Sequence, residues 1–414
     1  METFKEINNI KIAIVGLGYV GLPLFWEFSR VYKTVGYDSN TKKIGNLLKK
    51  HDYEIDVTAN PLDIADCNVY IVAVPTPITE DNVPDLSPLT EACEMIGPHL
   101  NTNEHKVVIF ESTVYPGCTM EHCVPALESF MYTKPYVGYS PERINPGDPD
   151  RGLTDIVKIT SGSTPEVADF VDDLYCSIIH AGTHKAPSIE VAEAAKVVEN
   201  VQRDVNIALM NELALVFNEL SIDTHDVIDA ASTKWNFQRF TPGLVGGHCI
   251  GVDPYYLISK AQQRGVETKL ISSARQVNES ISAHIANQIM NLMSQKKIHI
   301  VEARILFLGI TFKPNCADVR NSKAVDVVRR LIKNNAKVTV FDPVADEREC
   351  LDNYGIELQR NLQGQQRYDA VIYAVPHEGI YTMDQSFLDL YAKDNCLIYD
   401  IPSMLPRSIS DGHL

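Results

Sequence analysis

The sequence predicts an α/β protein with two Rossmann-like, doubly wound parallel-sheet domains joined by a central domain built on a long helix. Three observations support this fold class. Short apolar runs alternate with helical stretches in the first part of the chain, a long stretch without Gly or Pro follows, and the alternation returns after Arg304. Strands that alternate with helices are typical of a parallel sheet covered by helices on both faces.

The chain has 414 residues, which exceeds one ordinary hydrophobic core, so we expect domains at 1–187, 188–296 and 297–414. The hydrophobic content of 45% and charged content of 22% are typical of a soluble globular protein. No run approaches the roughly 20 consecutive apolar residues of a membrane helix. The N-terminal segment has no signal-peptide pattern. We therefore expect a cytoplasmic protein with no membrane partner.

The formal net charge of −17 argues against a nucleic-acid partner, because a phosphate backbone requires a basic face. A ligand that carries phosphate must be held by local donors instead. The nine cysteines include no CxxC pair. Cys118 and Cys123 have no second ligand pair nearby. The sequence therefore predicts that the protein has no metal site, and a zinc site is the less favoured alternative. Reduced thiols in a cytosolic protein are expected, with Cys249 as the exception discussed below.

Each predicted strand is a short apolar run that meets glycine, proline or an acid. For the first sheet these runs are Lys11–Val15, Lys33–Asp38, Cys67–Val74, Lys106–Phe110 and Pro135–Tyr139. For the second sheet they are Arg304–Gly309, Lys337–Asp342, Asp369–Val375 and Cys396–Asp400. The segment Ser188–Leu220 predicts a helix of about 50 Å, which suits a spine between two domains and a surface for dimerisation.

The first strand runs into Gly16-x-Gly18-x-x-Gly21, a glycine pattern that opens a helix, and the second strand ends in Asp38. Glycines allow a tight turn with close backbone approach, and the helix N-terminus can face a pyrophosphate. Asp38 can accept hydrogen bonds from free ribose hydroxyls and would repel a 2′-phosphate, which favours NAD over NADP. The alternative is a glycine turn without a ligand.

The segment Pro242–Pro254 places Cys249 between glycines, with Gly246 and Gly247 before it and Asp253 four residues after it. A thiol near a carboxylate in a loop that can close on a substrate indicates covalent chemistry on a carbonyl. His248 raises the alternative of a Cys–His dyad, although adjacent residues rarely direct their side chains at one another. An inert loop cysteine is the remaining alternative.

Other polar groups fall on one helix face and at strand ends. Glu193, Lys196 and Asn200 lie at i, i+3 and i+7, hence on one helix face, for which a solvated face of ion pairs is the alternative. The segments Tyr139–Gly147, Val74–Pro77 and Glu111–Thr113 each follow a predicted strand. Ligands bind at that edge of an open α/β sheet, so we expect these segments to line one cleft.

These motifs together resemble the UDP-glucose/UDP-N-acetylhexosamine 6-dehydrogenase family. Its motifs occur in order as GLGYVGLP from Gly16, VPTP from Val74, ESTVYPG from Glu111, YSPERI from Tyr139, AEAAKVVEN from Ala192 and GGHCIGVDPYY from Gly246. The forms KWNF from Lys234 and PGLVGGHC from Pro242 are most similar to the bacterial branch that acts on UDP-N-acetylglucosamine or UDP-N-acetylgalactosamine for surface polysaccharide such as capsule or O-antigen.

The resemblance implies roles for individual residues. The catalytic set would be Cys249 as nucleophile with Lys196, Asn200, Asp253, Glu142 and Thr113. The cofactor set, for NAD, would be Gly16, Gly18, Tyr19, Val20, Gly21, Asp38, Pro75, Thr76, Thr113 and Arg320. The set for a UDP-N-acetylhexosamine, whose UDP binds the C-terminal domain, would be Glu142, Arg143, Asn145, Lys196, Asn200, Arg239, Gly246, Phe312 and Lys313.

The implied reaction is a four-electron oxidation of the C6 alcohol to the uronic acid, through a thiohemiacetal and a thioester on Cys249, in a homodimer. UDP-glucose as substrate, a catalytically silent nucleotide-sugar binder and a two-electron alcohol dehydrogenase are the alternatives. Two departures from the family pattern stand out. The connection from Asp38 to Cys67 is shorter than is usual in the family. Thr241 occupies a position where the subgroup usually has an arginine, and the nearby Arg239 would take over the role of that arginine.

Overall fold

The computed structural model describes residues 9–50, 55–101, 105–145, 151–362, 366–380 and 384–414. The chain divides into two compact units: Met1–Glu199 with Tyr255–Glu267, and Asn200–Pro254 with Thr268–Leu414. The division into three domains stays a prediction. Within the described ranges, no helix combines the length and apolar character needed to cross a membrane.

The elements follow one another in an α/β order. Up to residue 185 they are β1 (Lys11–Val15), α1 (Gly21–Ser29), β2 (Lys33–Tyr37), α2 (Thr41–Lys50), β3 (Val57–Thr58), β4 (Val69–Val72), α3 (Ser87–Leu100), β5 (Val107–Phe110), α4 (Val124–Glu128), β6 (Tyr136–Tyr139), β7 (Lys158–Thr160), α5 (Pro165–Cys176) and β8 (Thr183–Lys185). Beyond it they are α6 (Ile189–Glu219), α7 (Thr224–Ser232), α8 (Asp253–Gln263), α9 (Lys269–Gln295), β9 (Arg304–Leu308), α10 (Lys323–Lys333), β10 (Lys337–Phe341), α11 (Glu347–Tyr354), β11 (Leu358–Gln359), β12 (Tyr368–Tyr373), α12 (Gln385–Tyr391), β13 (Ala392–Asp400) and β14 (Gly412–His413). Two 3₁₀ turns (Pro61–Ile64 and Leu153–Asp155) and a π-helical turn (Thr119–Cys123) complete this set.

The first unit contains a six-stranded sheet in the order β3-β2-β1-β4-β5-β6, and all of its pairings are parallel. Helices cover both faces, so a strand such as β1 is apolar at successive positions. Ala13 and Val15 pack into one core cluster, while Ile12 and Ile14 pack into the other. The strand order reverses between β1 and β4, which creates the crevice where such sheets bind ligands.

The second unit repeats this plan, with a parallel sheet in the order β11-β10-β9-β12-β13-β14. Gly309, after β9, has a φ of +88°, and the N–H of Ile310 donates to Asp342 Oδ2 at 2.7 Å. His377 Nε2 lies 3.1 Å from the same oxygen, and both side chains are completely buried. The carboxylate at the end of β10 is therefore enclosed within the unit.

The predicted fold class is confirmed, and α6 matches the predicted long helix, with 31 residues. The strand predicted at Cys67–Val74 is shorter and spans Val69–Val72. The segments 1–8, 51–54 and 146–150 lie outside the described residues. They include the start of the N-terminal segment, part of the short connection after Asp38, and the end of the predicted loop that begins at Tyr139.

Candidate active site

The three glycines of the first turn have different environments. Gly16 has a φ of +94°, and a Cβ atom on it would lie 2.8 Å from the carbonyl oxygen of Ala73. A Cβ on Gly21 would lie 1.8 Å from the Gly16 oxygen, so α1 packs directly against the end of β1. A Cβ on Gly18 would have nothing within 4 Å, which leaves its backbone open to a ligand. A dinucleotide-binding turn requires this division of roles.

Tyr19 and Val20 complete the same turn. The Tyr19 side chain is largely exposed. Val20 is the N-cap residue of α1 and provides no side-chain hydrogen bond to the helix. Because the first N–H groups of a helix have no partner within the helix, they attract anions. The turn therefore offers backbone donors of the kind that hold a pyrophosphate.

Asp38 lies directly after β2, at the edge of this turn. Its carboxylate accepts hydrogen bonds from the N–H groups of Leu17 (2.9 Å) and Asn40 (3.0 Å) and from Lys43 Nζ (2.7 Å). Burial by itself raises the pKa of Asp38, but these donors outweigh burial and lower it. The side chain remains 12% exposed, so the charged carboxylate is accessible. Sequence reasoning did not predict that Lys43 pairs with Asp38. The available signal was its position five residues after Asp38, in the first turn of α2.

The loops after β4 and β5 are joined to each other at the same edge of the sheet. Thr76 Oγ1 donates to the carbonyl of Thr113 at 2.8 Å, and the Tyr256 hydroxyl donates to the carbonyl of Thr76 at 2.7 Å. Pro75 is exposed beside them. These loops and the glycine turn occupy the crevice between β1 and β4. With its open backbone, helix terminus and carboxylate, the crevice fits a dinucleotide.

Glu142 follows β6, and its two oxygens have different environments. Oε1 accepts hydrogen bonds from the N–H groups of Arg143 (2.5 Å) and Ile144 (2.6 Å). Oε2 is buried and has no hydrogen-bond partner among the described residues. It lies 3.9 Å from Lys158 Nζ. The backbone thus fixes one oxygen, while the other makes no hydrogen bond within the described part of the chain.

The guanidinium of Arg143 is paired within the same unit. It contacts Glu199 Oε1 at 2.7 Å and donates to the carbonyl of Val157 at 2.6 Å. Asn145 is exposed at the last described position before the gap at 146–150. Their assignment to substrate stays a prediction.

The predicted face of α6 is buried, which excludes a solvated face of ion pairs. Glu193, Lys196 and Asn200 are 0%, 8% and 6% exposed. Glu193 accepts hydrogen bonds from the N–H groups of Gly117 (2.5 Å) and Thr119 (2.8 Å). Burial raises the pKa of Glu193 to about 7, and the hydrogen bonds from Thr119 and Gly117 only partly oppose this effect. Glu193 therefore anchors the segment that follows Thr113.

Cys249 lies in a turn that leads into α8, in the second unit. Asp253, the first residue of α8, donates its N–H to the carbonyl of Cys249 at 2.9 Å. Asn200 Nδ2 donates to Asp253 Oδ2 at 2.5 Å, and Asp253 is only 2% exposed. The structure thus brings together Asn200 and Asp253 beside the turn of the half-buried Cys249, with an amide orienting a buried carboxylate.

The glycines before Cys249 fit closely against the loop after β9. A Cβ on Gly246 would lie 2.4 Å from the Asn321 oxygen, and a Cβ on Gly247 (φ +80°) would lie 2.6 Å from the Phe312 ring. The N–H of Gly247 donates to the Asn321 carbonyl at 3.1 Å, and Asn321 Nδ2 donates back to the Gly247 carbonyl at 3.0 Å. Lys313 Nζ lies 5.6 Å from the Phe312 ring centroid. Asn321, which sequence reasoning missed, therefore joins the cysteine loop to the predicted substrate residues.

His248 is paired with Asp318. Its Nε2 lies 2.9 Å from Asp318 Oδ2, and Arg320 donates to both oxygens of the same carboxylate, at 3.0 and 2.7 Å. Burial and the neighbouring Arg320 lower the pKa of His248, and Asp318 only partly opposes this effect. These contacts give His248 a structural role within its loop, as an alternative to a dyad with Cys249.

Arg239 lies against α7. Its guanidinium contacts Asp229 Oδ1 at 2.6 Å and donates to Ser232 Oγ at 3.2 Å. The side chain is about half exposed. Contact with a substrate phosphate stays a prediction for this residue.

Family models account for three segments of the chain. The NAD binding domain of the UDP-glucose/GDP-mannose dehydrogenase family matches residues 49–179. The central domain of that family matches residues 190–280, and its UDP binding domain matches residues 306–407.

Individual relatives agree with these matches. The chain is 47% identical to a UDP-N-acetyl-D-glucosamine 6-dehydrogenase of Pseudomonas aeruginosa, over 99% of this chain and 100% of that protein. It is 44% identical to Protein CapL of Staphylococcus aureus, over 96% of each. The solved UDP-D-ManNAc dehydrogenase of Pyrococcus horikoshii has a TM-score of 0.83 at 29% identity and covers 98% of each chain.

These similarities confirm three of the predictions: the family resemblance, NAD as cofactor, and the class of NAD-dependent nucleotide-sugar dehydrogenases. The UDP binding domain also supports a nucleotide-sugar ligand. The chain belongs to the UDP-glucose/GDP-mannose dehydrogenase family.

Proposed function

We propose that this protein oxidises the C6 alcohol of a UDP-N-acetylhexosamine, of the GlcNAc or GalNAc type, to the carboxylate, with NAD as oxidant. The proposal rests on the buried Asn200–Asp253 pair, because the N–H of that aspartate is bonded to the carbonyl of Cys249. An oriented carboxylate on the turn that carries a half-buried cysteine suits covalent chemistry on a carbonyl. The choice of substrate is supported by the name of the Pseudomonas relative at 47% identity.

Two NAD molecules, bound one after the other, would each supply an acceptor for one of the two hydrides that leave C6. Asp38 would accept hydrogen bonds from the adenosine ribose and would repel a 2′-phosphate. Gly18 and the N-terminus of α1 would hold the pyrophosphate. The remaining residues proposed to contact the cofactor are Gly16, Tyr19, Val20, Gly21, Pro75, Thr76, Thr113 and Arg320.

Cys249 retains the intermediate between the two oxidations. Its Sγ adds to the carbonyl carbon of the aldehyde and forms a thiohemiacetal, whose oxygen is stabilised by the Lys196 ammonium and the Asn200 amide. The second oxidation converts this adduct into a thioester. Because the aldehyde is covalently held, one site completes both oxidations.

Hydrolysis then releases the acid. Thr113 positions a water molecule whose oxygen bonds to the thioester carbon, while Glu142 or Asp253 accepts its proton. The C–S bond breaks, and its electron pair returns to Sγ of Cys249. Substrate contacts are proposed for Glu142, Arg143, Asn145, Lys196, Asn200, Arg239, Gly246, Phe312 and Lys313.

We further propose three domains, at 1–187, 188–296 and 297–414, and a homodimer that forms through α6. That helix exposes apolar side chains suited to an interface, namely Val191, Val198, Leu209 and Val216. The proposed setting is the cytoplasm, where the product would supply surface polysaccharide such as capsule or O-antigen.

The test is a panel of UDP-sugars assayed for NADH and for acid. We expect the highest kcat/KM with UDP-GlcNAc or UDP-GalNAc and two NADH for each sugar consumed. UDP-glucose and UDP-ManNAc complete the panel. A preference for UDP-glucose would replace the proposed substrate, and binding without any NADH would indicate a silent nucleotide-sugar binder. One NADH for each sugar, with aldehyde as product, would indicate a two-electron dehydrogenase.

A further inference from the structure

A buried cluster of charged and polar groups lies behind Glu142 in the first unit. Its members are Glu111 after β5, Lys158 on β7 and Tyr175 on α5. The side chains of Glu111 and Lys158 are 0% and 2% exposed. Nothing in the sequence distinguishes Lys158 from a surface lysine, and the reaction proposed above gives it no role.

The Lys158 ammonium contacts four residues, one of them through the Tyr175 ring, whose centroid lies 5.3 Å away. Its Nζ donates to Glu111 Oε2 at 2.6 Å and to the carbonyl of Pro141 at 3.0 Å, and it lies 3.9 Å from Glu142 Oε2. The Tyr175 hydroxyl donates to the other oxygen of Glu111. Both oxygens of Glu111 are therefore engaged, and this residue holds the ammonium in place.

The contacts of Lys158 converge on the peptide that carries Glu142. Pro141 immediately precedes Glu142, so the hydrogen bond to its carbonyl restrains the backbone on one side. The N–H groups of Arg143 and Ile144 hold Glu142 Oε1 on the other side. Oε2, the oxygen without a hydrogen bond among the described residues, is left within the electrostatic reach of the ammonium.

We propose that Lys158 is a positioning residue that presents Glu142 Oε2 to the water that hydrolyses the Cys249 thioester. This inference rests on the proposed function. In that step the water oxygen bonds to the thioester carbon, one water proton passes to Glu142 Oε2, and the C–S bond breaks to release the Cys249 thiolate. Lys158 exchanges no proton; it restrains the Pro141–Glu142 peptide and attracts Oε2.

A simpler role for Lys158 would be to neutralise the buried Glu111, since an unpaired buried charge is strongly destabilising. The two roles make opposite predictions for a double variant. Lys158→Met with Glu111→Gln removes both charges of this ion pair, so no uncompensated charge remains at position 111, but it also removes the contacts to Pro141 and Glu142. Burial raises the pKa of Glu111, and the ammonium of Lys158 opposes this effect.

The experiment compares Lys158→Met, the double variant and the control Lys185→Met in the full-length enzyme with NAD and UDP-GlcNAc. Lys185 lies on β8, which pairs with β7, and it forms an exposed ion pair with Asp169. Rapid mixing measures the first NADH, steady-state assays measure acid release, and mass spectrometry of quenched samples measures the adduct on Cys249. Circular dichroism confirms folding.

We expect Lys158→Met and the double variant to release acid about 10- to 100-fold more slowly, because a positioned base contributes about 10²- to 10⁴-fold. The first hydride transfer and the Kd for the sugar should stay within about twofold, while the Cys249 adduct accumulates. Lys185→Met should match the wild type.

Wild-type acid release by the double variant would overturn the proposal, since Lys158 would then only neutralise Glu111. Equal slowing of the first hydride transfer and of acid release would also overturn it, because that pattern indicates a general distortion. If Lys158→Met fails to fold, the double variant decides. If the wild-type enzyme releases no acid, the proposed function is refuted. If the wild type releases acid and the Lys158 variants release it at the same rate, only the role of Lys158 is refuted.

Discussion

Glu193 should make the first unit less stable as the pH rises, and a single isosteric change should remove this effect. Burial raises the pKa of Glu193 from its ordinary 4.5 to about 7. Between these values the folded chain holds a proton that the unfolded chain has released, so the free energy of unfolding falls as pH rises. The change corresponds to about 3 kcal/mol, at about 1.36 kcal/mol for each tenfold change in proton affinity.

The variant Glu193→Gln imitates the protonated carboxyl. At pH 5 its free energy of unfolding should lie within about 1 kcal/mol of the wild type. At pH 8 it should exceed the wild type by about 3 kcal/mol. Urea unfolding at both pH values, followed by Trp26 fluorescence in a Trp235→Phe background, reports on the first unit, because the chain has two tryptophans.

The control is Glu190→Gln, an exposed carboxylate on the same helix, which should follow the wild type at both pH values. Equal pH dependence of wild type and Glu193→Gln would refute the reasoning. A variant that is destabilised equally at pH 5 and pH 8 would also refute it. That result would mean that Glu193 is ionised throughout and that its hydrogen bonds to Gly117 and Thr119 outweigh the cost of burial.

Three further predictions concern the ligand sites. Asp38→Ala should narrow the preference for NAD over NADP, measured as the ratio of activities; a wild type that prefers NADP would contradict the assignment. Cys249→Ser should fold and bind both ligands but lose acid formation by several orders of magnitude, because a serine hydroxyl is hardly ionised at neutral pH. Near-normal turnover with two NADH would show that the thiol is not the nucleophile. Lys313→Ala should weaken UDP binding by calorimetry while NAD affinity is kept; equal loss of both would indicate misfolding or a wrong assignment.

The sequence predicted the elements whose signal is local. The central strands are buried on both faces, so their apolar runs were visible, and the absence of Gly and Pro gave α6 nearly to its ends. The strands β3, β11 and β14 were missed because each has two residues, too few for a pattern.

The candidate site shows the same limit. Asn200 and Asp253 were both predicted, but their hydrogen bond joins residues 53 positions apart and depends on the packing of α6 against the start of α8. Lys158 pairs with Glu111 over 47 positions, and Asn321 with Gly247 over 74. Such pairs leave no periodicity in the sequence, because both partners are chosen by the tertiary fold.

The same hydrogen-bonded arrangement occurs in both units, but only in the second is its aspartate, Asp342, enclosed by a histidine, His377. The two copies should therefore have different roles. In each copy an aspartate after the second strand receives an N–H from the end of the first strand, at 2.9 Å for Asp38 and 2.7 Å for Asp342. Asp38 keeps a face open to solvent, whereas Asp342 has none. The same substitution should therefore alter cofactor selection in one copy and conformational stability in the other. A carboxylate at this position is available to a nucleotide only where part of it stays exposed, as at Asp38.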